Sequence, residues 1–386
     1  MSRNPNDITA YRKKRKRRNN IYKFLAIVLT VFGIFFIWTN GEKIFEPLRG
    51  IASRTGTTES GEGFPIMLSG SAGYSMNRFG SNFLLLSDTY LYTYNSGGGQ
   101  IFAYRHNYAR PFQSATDRRI LLYNLNANEF SLFNRNGRIY EVKLDDRIVL
   151  AELGNNDMAA VVTTSTAFSN ILYVYDGNGK WRYTKRFIDE EVNAVAFTSR
   201  NNEIIVATSA VRNGEIISKI YRLRVDTTDD VIWERTLPSD VWALNVRENG
   251  NYVTVLADNM MLSLYSADGE VAGSYAFTSG SLVRPVFGVG FNMVVLSDYV
   301  TGRTLFVTLD EKSNIISSEI MPFEAKQVEI SGDMVYTLTG DTLNVYDKFI
   351  VQTGVIALED EYKDFITADK YALLLGYETI ERVALN

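Results

Sequence analysis

Histidine, cysteine and paired carboxylates build most catalytic and metal sites, and this chain of 386 residues has one histidine, His106, and no cysteine. Disulfides, iron–sulfur clusters and thiol nucleophiles are therefore excluded, and one histidine cannot supply a zinc site of the common nitrogen and sulfur types. A Ser-His-Asp triad would have to use His106, but no G-x-S-x-G elbow accompanies it. His106 falls at the end of a predicted strand, which is the usual place for a structural residue at the surface. Acidic clusters stand at Asp145-Asp146, Asp189-Glu190-Glu191, Asp229-Asp230 and Glu359-Asp360-Glu361. Two such carboxylates flanking a glycosidic bond would suit hydrolysis. These clusters recur between apolar runs, however, where solvated turns account for them, and the spaced acidic pattern of a calcium loop is absent. Trp181, Trp233 and Trp242 offer a sugar or peptide platform, although large aromatics on neighbouring repeats also serve to pack one sheet on the next. Tyr92, Tyr94, Tyr173, Tyr175, Tyr265 and Tyr346 recur at one place in the pattern and are expected in the repeat core. The Ser96–Gln100 stretch is glycine-rich but lacks the Lys-Ser/Thr and helix of a phosphate cradle, so it is expected to be a hairpin turn. No catalytic, cofactor-binding or metal-binding residue is assigned, and no cofactor is expected.

The elements that would position these residues begin after Gly63. Short runs rich in Val, Ile, Leu, Tyr and Phe alternate with Gly, Asn, Asp and Ser, the punctuation of antiparallel strands joined by tight turns. One apolar run of about six residues recurs eight times, starting at Asn82, Ile120, Met158, Glu203, Asn251, Asn292, Asp333 and Lys370. The repeat lies near the period of about 40 to 50 residues of propeller blades. Most runs lead into a second strand and a turn, as in LYVYDGNGKW, then a third strand and a fourth. Four strands per repeat make one blade. The expected fold is all-β, a propeller over residues 64–386 with eight blades, seven being the alternative. The last repeat looks truncated, and a strand near Phe64 to Gly70 would complete it and close the ring.

Upstream the composition changes. The chain holds 40 Lys and Arg against 44 Asp and Glu; residues 1–23 take nine of the former and one of the latter, leaving 31 and 43 in the body. So acidic a body argues against a nucleic-acid partner. The basic tail, residues 1–20, contains Arg12, Lys13, Lys14, Arg15, Lys16, Arg17 and Arg18. Residues 21–39 follow as a predicted transmembrane signal anchor. Ile21 to Trp38 carries only Lys23, and its 18 residues rise about 27 Å as a helix, close to a hydrocarbon core of about 30 Å. Ile21, Tyr22, Phe24, Phe36 and Trp38 are the expected anchor residues, with the aromatic rings of Tyr22 and Trp38 at the two interfaces. A cleaved signal is the rival, but its apolar stretch is usually about 7 to 15 residues, and no small-x-small site follows here. The basic flank keeps the N-terminus inside, so the body is expected outside the cytoplasm, joined by a Ser, Thr and Gly-rich linker over residues 40–63.

The strand, strand, Asp-x-x-Gly-x-Trp unit at Asp176, Gly179 and Trp181, and more loosely at Asp226 and Trp233, resembles the repeat of quinoprotein-like (PQQ-like) propellers. Dehydrogenases of that group hold a quinone and calcium, often beside a vicinal disulfide, which a chain without cysteine cannot form. The whole arrangement, from basic tail and anchor to Gly63-Phe64-Pro65 and the propeller, resembles a family of membrane-anchored β-propeller domains of unknown function from Gram-positive bacteria. The expected role is a non-enzymatic binding or scaffold module for a protein, peptide or cell-wall partner. The alternative is an extracellular glycan hydrolase or lyase using carboxylates at the central channel. Electrostatics alone makes one expectation testable: a peptide of residues 1–20 should bind anionic vesicles with about 1 kcal/mol per basic residue near the surface. Cosedimentation should weaken as salt is raised, and binding indifferent to salt contradicts it.

Overall fold

The recurring apolar run becomes the second strand of each of eight sheets, and its position explains its composition. Asn82–Leu86, Ile120–Asn124 and Ala159–Thr163 are buried at every residue, because a neighbouring sheet covers each face. Burying a Leu, Ile, Val or Phe in this way stabilises by about 1.5–3 kcal/mol. The outermost strand has one covered face, so alternation returns there, as in Gln100–Arg105 and Gln352–Ala357.

The computed structural model describes residues 63–69, 73–198, 202–227, 230–246, 250–368 and 370–385. The basic residues Arg12 to Arg18, the anchor residues Ile21, Tyr22, Phe24, Phe36 and Trp38, and residues 40–62 of the linker lie outside the described residues. Among the described residues no helix is long and apolar enough to cross a membrane.

The described residues form eight antiparallel four-stranded sheets, the blades of an eight-bladed propeller. Blades 1 to 8 begin with the innermost strands Ser75–Phe79, Pro111–Ala115, Ile148–Leu153, Glu191–Phe197, Val241–Val246, Gly280–Phe287, Gln327–Ser331 and Asp364–Ala368. Blade and sequence repeat are out of phase by one strand. The fourth strand of each repeat, such as Glu191–Phe197 after Trp181–Phe187, pairs forward as the first strand of the next blade. Blade 8 draws its outer strand from the other end of the chain, with Ile66 opposite Ile380 and Met67 opposite Thr379. The Leu68 amide extends the pairing to the Glu378 carbonyl at 2.7 Å. In blade 4 the central hairpin, Glu203–Arg212 with Glu215–Arg224, is lengthened to ten residues per strand.

Four of the turns between third and fourth strands share one geometry. Asn95, Asp176, Asp310 and Asp347 each accept two backbone N–H groups, from residues two and four positions on, at 2.8–3.0 Å. The residue three positions on is left-handed: Gly98, Gly179, Ser313 and Ile350. Asx side chains suit the first place because they can mimic a backbone turn, and glycine suits the second because it lacks a Cβ.

Gly98, Gly179 and Gly269, left-handed glycines in turns between third and fourth strands, also receive an aromatic ring from the preceding blade, whether or not an Asx organises the turn. A Cβ on Gly179 would lie 2.9 Å from the Tyr140 ring, and one on Gly269 would lie 2.7 Å from Trp233. Phe64, just before the closing strand of blade 8, meets Gly98 of blade 1 in the same manner. Trp233 also donates its indole N–H to the Ser266 carbonyl at 3.0 Å, and Arg222 donates to the same carbonyl. Arg222 is itself buried against Glu203, its Nε 2.9 Å from Oε2.

Two glycines separate steric from conformational cost. Gly269 (φ +74) faces Trp233, whereas Gly214 (φ +84) has open space where a Cβ would stand. Gly214→Ala should cost about 1–2 kcal/mol for the left-handed backbone alone. Gly269→Ala adds overpacking of about 1–3 kcal/mol. Urea denaturation of both variants checks this, and equal losses would refute the aromatic-on-glycine contact.

Candidate functional site

Alternation along the innermost strands directs every second side chain toward the ring axis. In Gln327–Ser331, Val328 and Ile330 join the core of blade 7, while Gln327 and Glu329 line a central cavity of about 950 Å³. Three carboxyl groups enter it from different blades: Glu152, Glu329 and Asp364. Glu329 pairs with the Arg78 guanidinium and accepts from the Thr367 amide at 2.7 Å and the Thr367 hydroxyl at 3.1 Å. Asp364 accepts from Gln327 Nε2 at 2.6 Å and from the Phe365 amide at 2.8 Å. Glu152 accepts from the Ser114 hydroxyl at 2.8 Å.

Burial raises all three carboxyls above their ordinary range, opposed at Glu329 by Arg78 and Thr367, at Asp364 by Gln327, and at Glu152 by Ser114. Such groups favour polar, weakly charged contacts. Each is nonetheless engaged by neighbouring protein groups, and glycan hydrolysis, which needs a general acid and a second carboxylate facing one bond, finds no support in that arrangement. Among the described residues no three His, Asp or Glu side chains gather to hold a metal.

None of these three carboxylates belongs to the acidic clusters singled out in the sequence. The available signal was positional: an acid at an alternating place inside a first strand, where a solvated turn cannot account for it.

The innermost strands of blades 3 to 6 each carry a β-bulge near their start, inserting Val149, Asn193, Trp242 and Val283. A bulge re-aims the inserted side chain. Trp242 is 53% exposed and Val283 60% exposed in consequence. Trp242 donates to Asp240 Oδ2 at 3.1 Å. Asn193 stitches blade 4 to blade 5, donating to Asp240 Oδ1 at 3.1 Å and the Val241 carbonyl at 3.0 Å.

The three tryptophans therefore divide. Trp233 is the blade-packing residue expected of all three. Trp181 and Trp242 are more than half exposed, the first on an outer edge strand and the second on a bulge, positions that strand count alone does not distinguish. Tyr94, Tyr175 and Tyr346 are buried as expected, Tyr92 and Tyr173 are half-buried, and Tyr265 is exposed on its strand face. Ser96–Gln100 lies at the expected hairpin turn, where Asn95 organises the backbone.

Among the acidic clusters, Asp145, Glu359, Asp360 and Glu361 are exposed. Glu190 is not a plain turn residue. It is buried, accepting from Thr208 Oγ1 at 2.9 Å and the Tyr221 hydroxyl at 2.8 Å and pairing with Lys219 at 3.0 Å. Asp230 likewise accepts from Lys185 at 2.8 Å and from the Tyr183 hydroxyl. Asp229 is outside the described residues.

His106 is structural, but buried rather than at the surface. The Tyr108 amide donates to Nδ1 at 3.3 Å, which leaves the proton on Nε2 to be donated to the Ser87 carbonyl at 3.1 Å. Burial lowers its pKa from 6.5, opposed by the Ser87 hydrogen bond and by Asp88. Below about pH 6.5 the unfolded chain takes up a proton that the folded chain resists, so stability is full above this pH and is lost as pH falls toward the folded value. The slope is at most about 1.4 kcal/mol per pH unit. Urea midpoints across pH 5–7.5 should show this slope in the wild type and lose it in His106→Gln. An unchanged slope in the variant contradicts the assignment.

Solved structures share this architecture at low identity. The computationally designed Ika8 protein matches with a TM-score of 0.61 and 11% identity, covering 84% of this chain and 98% of its own. BamB from Moraxella catarrhalis matches with a TM-score of 0.55 and 10% identity, covering 83% and 98%. Sqt1 from Saccharomyces cerevisiae matches with 0.62 and 8%, covering 85% and 100%. Such identities show a common fold alone, and the resemblance to quinoprotein-like repeats is accordingly one of propeller architecture. No curated protein matches the chain. Residues 66–385, from the closing strand to the end of blade 8, match one family along their whole length, and the chain belongs to that family of unknown function, DUF5711.

Proposed function

We propose that this protein is a membrane-anchored binding or scaffold module whose propeller lies outside the cytoplasm of a Gram-positive cell. The observation that carries the reading is the exposure of Trp242 and Trp181, at 53% and 59%, on a ring closed by its own strands. Large aromatic side chains are costly to hydrate, and they dominate recognition where a partner covers them. Trp242 stands on a bulge beside the channel strands, with the acids Asp240 and Asp258 near its end of blade 5, so a protein or peptide partner with apolar and basic residues fits this rim. Supporting the membrane placement are the apolar residues 21–39 and the basic tail before them, whose charge excess favours retention inside. The channel carboxyls Glu152, Glu329 and Asp364, each engaged within the protein, accord with recognition rather than with bond-breaking.

A photoreactive residue at position 242 of the full chain, irradiated in intact cells, should give discrete adducts. The same residue at Glu270, at the other end of the strands, should not. In protoplasts, added protease should remove the propeller while leaving the tail protected. Absence of any adduct at 242, or protection of the propeller, defeats the proposal.

A further inference from the structure

We propose that the groove along the outer edge of blade 3 binds a neutral glycan chain, with one sugar ring stacked on Trp181. This deepens the reading above and rests on it, but at a site separate from the Trp242 rim.

The groove has a volume of about 910 Å³ and runs along the edge strand Trp181–Phe187, between the end of blade 2 and residues Val225, Asp226, Thr227 and Asp230 of blade 4. Its size is at the upper end of ordinary ligand clefts, which span about 300–1,000 Å³. Trp181 is exposed yet fixed in orientation. Its Nε1 donates to the Tyr183 carbonyl at 3.0 Å and to Thr184 Oγ1 at 2.8 Å. With the indole N–H already satisfied by its own strand, the ring has only its face to offer. Tyr173 and Tyr175 add further aromatic surface to the lining.

Charge selects among ligands for such a face. The lining holds three cations, Lys143, Arg182 and Arg186, and three carboxylates, Asp145, Asp226 and Asp230. Two of the cations are paired, Lys143 with Glu129 at 3.1 Å and Arg182 with Asp176 at 2.8 Å, and Arg186 lies over the Phe168 ring at 5.7 Å. Asp230 is held by Lys185, and Asp226 accepts from Asn202 at 2.8 Å. A phosphate or carboxylate ligand would meet three carboxylates and find two of the three cations already paired, whereas hydroxyl groups can join these residues by sharing donors and lone pairs. A pyranose offers that combination: a face of C–H bonds for the indole and a rim of hydroxyls for the fixed charges. An extended peptide fits less well, because the indole caps the edge that a fifth strand would pair with.

The test uses the full chain in lipid nanodiscs, free of sugar-headed detergent, with penta-N-acetylchitopentaose and cellopentaose as neutral probes. Oligogalacturonate and an extended neutral peptide serve as controls. Calorimetry reads the affinity in every variant, because Trp181→Ala and Trp181→Phe remove the fluorophore; in a Trp242→Phe background, which removes the other exposed tryptophan among the described residues, emission changes report on Trp181. Binding of a neutral probe should be saturable at or below about 1 mM, weakened at least tenfold by Trp181→Ala and largely restored by Trp181→Phe. It should be indifferent to salt between about 0.05 and 0.5 M, since no ion pair forms. Trp181 is exposed and its loss leaves the core intact, which a wild-type urea midpoint confirms. No binding of either neutral probe, binding unaffected by Trp181→Ala, or preference for the charged probe or the peptide each overturns the proposal. Adducts at position 242 with no glycan binding would leave the scaffold reading standing and remove this site alone.

Discussion

The constraint on which the rest depends is the pairing of two residues, Ile66 and Met67, with Ile380 and Thr379 across the ends of the chain. Without it, blade 8 would present an open edge and blade 1 would lose the aromatic Phe64 that fills the space over Gly98. Neighbouring blades cover both faces of second strands such as Asn82–Leu86, Ile120–Asn124 and Ala159–Thr163, which are buried at every residue, whereas alternation is plain in outer strands such as Gln100–Arg105 and Gln352–Ala357.

Between blades the same device recurs with different residues. An outer-strand aromatic of one blade lies over a left-handed turn residue of the next, as Tyr140 over Gly179 and Trp233 over Gly269. Where Ser313 or Ile350 takes the left-handed place, other contacts replace the ring: Ser313 bonds to Ser263 at 2.8 Å, and Ile350 enters the core of blades 6 and 7. The turn geometry is thus older in the logic of the fold than the glycine, since the Asx carboxylate or amide organises it in either case.

The polar groups tell a consistent story about activity. Glu329 with Arg78, Glu190 with Lys219 and Asp230 with Lys185 are each engaged internally. These groups hold blades and cavity walls in place. On the outside, Trp181 and Trp242 stay exposed alongside aliphatic side chains such as Ile188 and Val300.

Much of this fold was legible without coordinates. Eight apolar runs at propeller spacing, Asx-Gly turns after them and an incomplete last repeat determined the class, the blade count and the closing strand, because strand period and turn chemistry are local properties. The blade phase was not legible: the innermost strand pairs with the strand after it, and hydrogen-bond partners of that kind leave no mark on composition. Nor could residue type separate buried Trp233 from exposed Trp181 and Trp242, or bring Glu152, Glu329 and Asp364 from distant repeats to one cavity. Those depended on a bulge of a single residue, on which face of an edge strand is covered, and on ring closure, all of which only tertiary packing decides.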